Sequence, residues 1–263
     1  MSFFLNFKNT EIHYSVKGKG TAIVLLHGFL ENLNMWNDLE NALSKKYKVV
    51  CIDLLGHGLS KNLGYIHSME LQAEMVKFVL NHLKLRKYFM VGHSMGGYVG
   101  LSFANLYTKN LKGLCLLNST ALADSKEKKI NRNRAVKAVQ KNYKTFVRIA
   151  IPMLFSEKNR NIFSETIQKI TSEALKTSPQ GIIAALEGMK NRENTTTILQ
   201  QNTFPILLII GKQDITLAYN SLINQTKNTN VEVVEFPDGH MSHIENKKEL
   251  LLALQSFVKK RTS

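Results

Sequence analysis

The stretch Val91-Gly92-His93-Ser94-Met95-Gly96-Gly97 decides the fold of this chain. It sets a serine between two glycines, directly after the short apolar run Tyr88 to Val91 and before a helical pattern from Tyr98 to Tyr107. A strand that turns this sharply into a helix needs residues without bulk two positions before and after the turn. The sequence therefore predicts a strained turn that holds Ser94 at positive φ with its hydroxyl exposed.

Strands and helices alternate on both sides of this turn. The segments Phe3 to Lys8 and Glu11 to Lys17 alternate in polarity and predict an antiparallel hairpin. Apolar runs separated by helical patterns predict six further strands, at 21–26, 48–53, 88–92, 111–118, 206–211 and 231–236. We expect an α/β fold with a mostly parallel sheet of about eight strands flanked by helices. An active site should lie at the carboxyl ends of the strands.

The alternation stops between about 121 and 200, where the chain is polar, basic and helical in pattern. From Thr120 to Gln200 there are fifteen Lys and Arg against seven Asp and Glu, so the segment carries much of the net charge of +15. Ser178 before Pro179 is typical of a helix N-terminus. We expect a helical cap at 121–200, inserted into an α/β core formed by 1–120 and 201–263.

Four more segments lie where predicted strands end. His27-Gly28-Phe29 and the run from Asp53 to Ser60 follow two of them, and Asp214 and Gly239-His240 follow the last two. Together with the glycine-flanked serine, these segments resemble the α/β-hydrolase family from end to end. The resemblance implies that the serine turn is a nucleophile elbow.

A serine hydroxyl is a weak nucleophile unless a base, itself oriented by a carboxylate, lies within hydrogen-bond reach. The family order of nucleophile, acid and histidine implies the catalytic triad Ser94, Asp214 and His240. His243 competes with His240 as the base, and we favour His240 because it follows a glycine, as in the family pattern. Asn118 ends the strand where some relatives place the acid, and an amide cannot replace a carboxylate.

The resemblance also implies an oxyanion hole made of the backbone N–H groups of Phe29 and Met95. Such donors stabilise the charge that develops on a substrate carbonyl. The Phe29 ring and the side chains of Leu30, Met153 and Leu186 are expected to contact the substrate.

Composition excludes several classes of function. The lysines are scattered and form no recognisable nucleic-acid-binding module, so we expect no nucleic-acid partner. No apolar run is long enough to span a bilayer, and Met1 to Thr10 does not have the pattern of a secretion signal, so we expect a cytoplasmic protein without membrane contact. Cys51 and Cys115 lie in apolar strands and are expected in the core. No metal site or cofactor is expected, because histidines and carboxylates do not gather at ligand spacings.

The expected activity is that of a serine carboxylesterase acting on small to medium acyl esters. The closest alternatives keep the same triad: a carbon–carbon bond hydrolase, the menaquinone-pathway synthase that eliminates pyruvate, or an acyltransferase. The synthase binds an anionic substrate through arginines, and no arginine flanks the elbow in sequence. A ligand-sensing receptor with little turnover is a further alternative. The sequence leaves the substrate and the oligomeric state open.

Overall fold

An eight-stranded sheet forms the centre of the protein in the computed structural model, which describes residues 2–201 and 203–260. The first two strands pair antiparallel, the second strand pairs antiparallel with the fourth, and the remaining pairs are parallel. The strand order is β1-β2-β4-β3-β5-β6-β7-β8, which confirms the predicted fold class. The strands are β1 (Ser2–Phe7), β2 (Thr10–Lys17), β3 (Ala22–Leu26), β4 (Lys48–Ile52), β5 (Tyr88–His93), β6 (Leu111–Leu117), β7 (Ile206–Gly211) and β8 (Glu232–Phe236).

The central parallel strands are mostly apolar because helices cover both faces of the sheet. Every residue of β3, β5 and β7 is buried, as expected for a parallel sheet covered on both sides. The edge hairpin turns through Lys8 and Asn9, both at positive φ, as its tight two-residue turn requires. The α-helices outside the segment between β6 and β7 are α1 (Asn37–Leu43), α2 (Met69–His82), α3 (Met95–Tyr107), α9 (Tyr219–Asn224), α10 (Ser242–Glu245) and α11 (Lys247–Lys259).

The segment between β6 and β7 is helical, and we call it the insertion (residues 118–205). Its longest helix is interrupted at Asn142, where φ and ψ leave the helical region. The Ser178 hydroxyl caps α7 as predicted, by accepting the Gly181 N–H. The helices of the insertion are α4 (Lys126–Met153), α5 (Asn159–Ile162), α6 (Ser164–Ala174), α7 (Pro179–Asn191) and α8 (Thr196–Gln200).

Close backbone contact joins the insertion to the core. A Cβ atom on Gly188 of α7 would lie 1.8 Å from the carbonyl oxygen of His67, in the loop before α2. A Cβ atom on Gly181 would lie 2.4 Å from the Gly56 carbonyl oxygen. The two glycines therefore allow α7 to rest directly on core loops, at a distance that any side chain would prevent.

The two cysteines lie in the core, as the apolar strands around them predict. Cys51 and Cys115 are both buried, and burial raises the pKa of each thiol. Among the described residues, no helix is both long enough and apolar enough to cross a membrane.

Candidate active site

Ser94 lies at the sharp turn between β5 and α3. Its backbone has φ 48° and ψ −113°, and its N–H donates to the Leu117 carbonyl at 2.9 Å. A Cβ atom on Gly92 would lie 2.3 Å from the Gly96 carbonyl oxygen, and one on Gly96 would lie 2.3 Å from the Leu26 carbonyl oxygen. The two glycines are therefore needed for this turn, which has the strained geometry that the sequence predicts.

His240 and Asp214 form a buried pair beside this turn. The His240 Nδ1 atom lies 2.6 Å from Asp214 Oδ2. The Thr216 hydroxyl donates to Asp214 Oδ1 at 2.7 Å and lies 2.9 Å from His240 Nδ1. Burial alone would raise the pKa of Asp214, but the charge and the hydrogen bond of His240, together with the hydrogen bonds of the Thr216 hydroxyl and N–H, lower it. Asp214 is therefore ionised at neutral pH and holds the ring through Nδ1.

Asn118 supports this pair instead of replacing its acid. Its Nδ2 atom donates to Asp214 Oδ2 at 3.4 Å and to the Gly239 carbonyl at 3.2 Å. The amide thus connects the end of β6 with the carboxylate and with the loop that carries His240.

The loop of His240 is fixed by the insertion. The His240 N–H donates to the Leu154 carbonyl at 2.9 Å. The Glu245 carboxylate accepts from the Gly239 N–H on one oxygen and, on the other, from the Ser156 N–H and hydroxyl and from the Asn159 side chain. We call this set of contacts the Glu245 clamp. It joins the chain after α4 to the loop of the candidate base.

A second buried network lies beneath the triad candidates and was not predicted. Glu31 Oε2 accepts the Gly28 N–H at 2.6 Å and lies 2.7 Å from His93 Nδ1. The other ring nitrogen of His93 lies 2.9 Å from the His240 carbonyl oxygen. A carbonyl can only accept, so His93 donates through Nε2 as well as to the carboxylate. Three loops of the site therefore meet at one buried ion pair.

The pKa values of both partners fit this ion pair. Burial alone would raise the pKa of Glu31, but the charge and the hydrogen bond of His93 lower it to about 2. Burial alone would lower the pKa of His93, but the Glu31 carboxylate raises it above its ordinary value. His93 is therefore a buried cation next to Ser94, balanced by Glu31.

His243 lies beside this ion pair and not in the position of the base. Its Nε2 atom is 3.9 Å from Glu31 Oε1, and burial lowers its pKa to about 4. One donor atom each of Glu31, His93 and His243 lie within 4.8 Å of one another, which is close enough to hold a metal ion. Both ring nitrogens of His93 and one oxygen of Glu31 are already occupied by hydrogen bonds. We therefore interpret the cluster as the His93–Glu31 ion pair with His243 beside it. Sequence spacing did not reveal this cluster because its members come from distant segments.

His27, His57 and Asp53 make hydrogen bonds to the loops near the site. The His27 Nε2 atom accepts the Leu54 N–H at 2.9 Å. Burial lowers the pKa of His57 to about 3, so this ring is neutral. Asp53 accepts the N–H groups of two loop residues and lies 2.7 Å from the ring of His13.

A cavity of about 280 Å³ contains both Ser94 and His240 in its wall. Three of the predicted substrate contacts, Phe29, Leu30 and Leu186, line it. Met153 does not line the cavity, and its side chain is 43% exposed. The prediction for Met153 is wrong, and its neighbour Leu154 lines the cavity instead. One step along a helix rotates a side chain by about 100°, so the two side chains point in different directions. The remaining lining residues are Glu31, His93, Tyr98, Lys128, Asn131, Arg132, Ala135, Phe146, Ala150, Met189, Thr216 and Leu217.

The two N–H groups predicted for the oxyanion hole lie at the ends of β3 and β5. Met95 is the first residue of α3, and Phe29 follows Gly28, whose Cβ atom would lie 3.3 Å from the Ser94 Cβ. Within the described parts of the chain, neither the Phe29 N–H nor the Met95 N–H donates to another protein group. Both donors are therefore available to a ligand beside Ser94.

Arginine lies near the elbow in space, although none flanks it in sequence. The Arg192 guanidinium is 4.0 Å from the ring centroid of Tyr98, on the elbow helix α3. Arg192 Nη1 also donates to Asp124 at 2.7 Å, and the same carboxylate accepts from Arg132 at 3.0 Å. The sequence could not indicate this cluster, because the insertion folds back to bring Arg192 against α3.

Comparisons with known proteins agree with this architecture. The sequence model of the alpha/beta hydrolase fold family matches residues 21–247. The chain is similar to a thermophilic esterase from Thermogutta terrifontis, solved with malate bound, at 29% identity and a TM-score of 0.93 over all of both chains. The chain is also similar to a putative 2-succinyl-6-hydroxy-2,4-cyclohexadiene-1-carboxylate synthase of Bacillus subtilis, at 29% identity. That match covers 89% of this chain and 90% of the Bacillus subtilis protein.

A Pseudomonas putida protein, the dihydrolipoyllysine-residue acetyltransferase component of an acetoin cleaving system, is 27% identical over 92% of the chain. The chain spans 64% of the length of that protein and 31% of the length of three mycobacterial relatives. The family match itself covers most of the chain, from β3 to the start of α11. This chain therefore belongs to the α/β-hydrolase fold family.

Proposed function

We propose that this protein is a serine hydrolase that cleaves carboxylic esters with small to medium acyl groups. The observation that carries the proposal is the convergence of Ser94 and the His240–Asp214 pair on one cavity. Ser94 is held in the strained turn that exposes its hydroxyl, and His240 is oriented by a buried carboxylate. This is the arrangement that activates a serine hydroxyl at neutral pH.

The reaction follows from the roles of these groups. Because Asp214 binds the Nδ1 side of His240, the Nε2 atom is left to take the Ser94 proton as Oγ attacks the ester carbonyl. The N–H groups of Phe29 and Met95 receive the oxyanion. His240 then gives its proton to the departing alcohol, which leaves an acyl group on Ser94. Water, deprotonated by His240, releases the acid and restores the serine.

The cavity suits a small acyl group. Its volume of about 280 Å³ lies at the lower end of the range for ligand pockets. Apolar side chains of Phe29, Leu30 and Leu186 supply part of the wall. We propose that residues 121–200 act as the cap over this site, because Leu186 and Lys128 line the cavity from that segment.

Carbon–carbon bond cleavage or pyruvate elimination is the second candidate. Two cations of the insertion, Lys128 and Arg132, line the cavity, and they favour an anionic substrate. The similarity to the Bacillus subtilis putative synthase supports the same class. Turnover of a dienoic keto acid with little ester hydrolysis would select this candidate.

Hydrolysis of a p-nitrophenyl ester series from acetate to long acyl chains tests the main proposal. We expect native protein to favour short and medium chains, and Ser94→Ala to lose at least about 10⁴-fold in kcat. Ser172→Ala, at an exposed position on α6, is the matched control and should keep native turnover. Equal rates for native protein and Ser94→Ala, or no turnover of any ester, would contradict the proposal.

A further inference from the structure

A cationic wall faces the catalytic cavity from the first turns of α4. Lys128 and Arg132 are four residues apart, so they lie on the same face of that helix. Both line the cavity that contains Ser94, and Lys128 is half-buried. Both side chains therefore form part of the wall of the proposed substrate site.

The carboxylate near these cations is already shared. Asp124 pairs with Arg132 through one oxygen at 3.0 Å and with Arg192 through the other at 2.7 Å. Among residues 2–201 and 203–260, no carboxylate lies within ion-pair distance of Lys128 Nζ. Arg132 and Arg192 thus share Asp124, and within the described residues Lys128 makes no direct ion pair.

Lys128 has spare hydrogen-bonding capacity. Its Nζ donates to the Thr216 carbonyl at 3.2 Å, while an ammonium group has three donors. Burial lowers the pKa of Lys128, and Arg192 and Arg132 lower it further, while the carboxylates of Asp124 and Asp214 only partly oppose this shift. A partly desolvated ammonium gains when a carboxylate approaches it.

The position of Lys128 fixes where such a carboxylate would bind. Lys128 contacts the backbone of Thr216, whose hydroxyl lies 2.9 Å from His240 Nδ1. Thr216 therefore lies between the Lys128 ammonium and the candidate base, and contacts both. The acid that also lines the cavity, Glu31, is neutralised by His93 and the Gly28 N–H, so its charge does not oppose an incoming anion.

We propose that Lys128, with Arg132 beside it, binds a free carboxylate of the substrate. The preferred substrates are then esters with a carboxylate a few bonds from the reacting carbonyl, such as half-esters of short dicarboxylic acids. This inference rests on the proposed ester hydrolysis at Ser94. It adds the substrate class, which the triad alone does not define.

Binding to Ser94→Ala protein tests the carboxylate site without turnover. Isothermal titration calorimetry would compare monomethyl succinate with methyl butyrate, a neutral ester of similar size. We expect the half-ester to bind at least about tenfold more tightly, because a hydrogen bond to a charged group contributes that much or more. Adding Lys128→Met should remove the preference, whereas the exposed neighbour Lys126→Met should leave it unchanged.

The same comparison in kinetics separates the two proposals. For native protein we expect kcat/KM for mono-p-nitrophenyl succinate to exceed that for p-nitrophenyl butyrate, with a ratio that falls about tenfold in Lys128→Met. Equal binding of charged and neutral esters, or an unchanged ratio in Lys128→Met, overturns the carboxylate site even if esters are hydrolysed. Tight binding of the half-ester that depends on Lys128 but gives no turnover supports the site and overturns ester hydrolysis.

Discussion

Replacing Glu31 with glutamine tests the buried ion pair beneath the site. The Glu31 carboxylate holds Gly28 and His93, and its pKa is about 2 instead of 4.5. That difference corresponds to roughly 3 kcal/mol of unfolding free energy, at about 1.36 kcal/mol per pH unit. We therefore expect Glu31→Gln to lower the unfolding free energy at pH 7 by about 3 kcal/mol.

The sign of the pH dependence follows from the lowered pKa. Because the folded protein binds the Glu31 proton less readily than the unfolded chain, the stabilisation is complete above about pH 4.5 and disappears as pH falls through 2. At pH 3.5 the same relation leaves roughly 2 kcal/mol. The difference in stability between native protein and Glu31→Gln should therefore narrow by about 1 kcal/mol between pH 7 and pH 3.5.

Urea unfolding followed by tryptophan fluorescence measures this difference. The chain has a single tryptophan, Trp36, which is buried and so reports the loss of the core. Glu11→Gln removes an exposed carboxylate and should change the unfolding free energy by less than about 0.5 kcal/mol. A loss below about 1 kcal/mol for Glu31→Gln, or one that is the same at pH 7 and pH 3.5, would refute the ion-pair argument.

Three further predictions concern the candidate base, the hydroxyl beside it, and the contact between helix α7 of the insertion and the core. His240→Ala should abolish p-nitrophenyl ester turnover while His243→Ala keeps much of it, and the reverse result would reassign the base. Thr216→Val removes the hydroxyl beside the base and should lower kcat about tenfold in steady-state assays with little change in KM; an unchanged kcat would contradict this role. Gly188→Ala brings a methyl group within 1.8 Å of the His67 carbonyl oxygen and should cost about 1–3 kcal/mol, seen as a lower Tm by calorimetry; a native Tm would show that α7 can shift freely.

The parts of the fold that depend on a local pattern of residues could be predicted from the sequence. The turn at Ser94 needs glycines at fixed offsets, and the buried parallel strands need apolar residues throughout, so both could be predicted. Local pattern therefore places the strands and helices.

The unpredicted features depend on contacts between distant residues. Glu31 and His93 are 62 residues apart in sequence, and neither has a pattern that indicates burial with the other. Arg192 and Asp124 meet only because the insertion folds back on itself. Met153 and Leu154 are both apolar, and only the packing of the chain after α4 decides which of them lines the cavity.

The Glu245 clamp also limits how the insertion can move. It fastens the chain from Leu154 to Asn159 to the loop of His240, so a displacement of the insertion there would pull the candidate base out of position. The position of the insertion at this end and the geometry of the candidate base are therefore coupled, so a substitution that breaks the clamp would disturb both together.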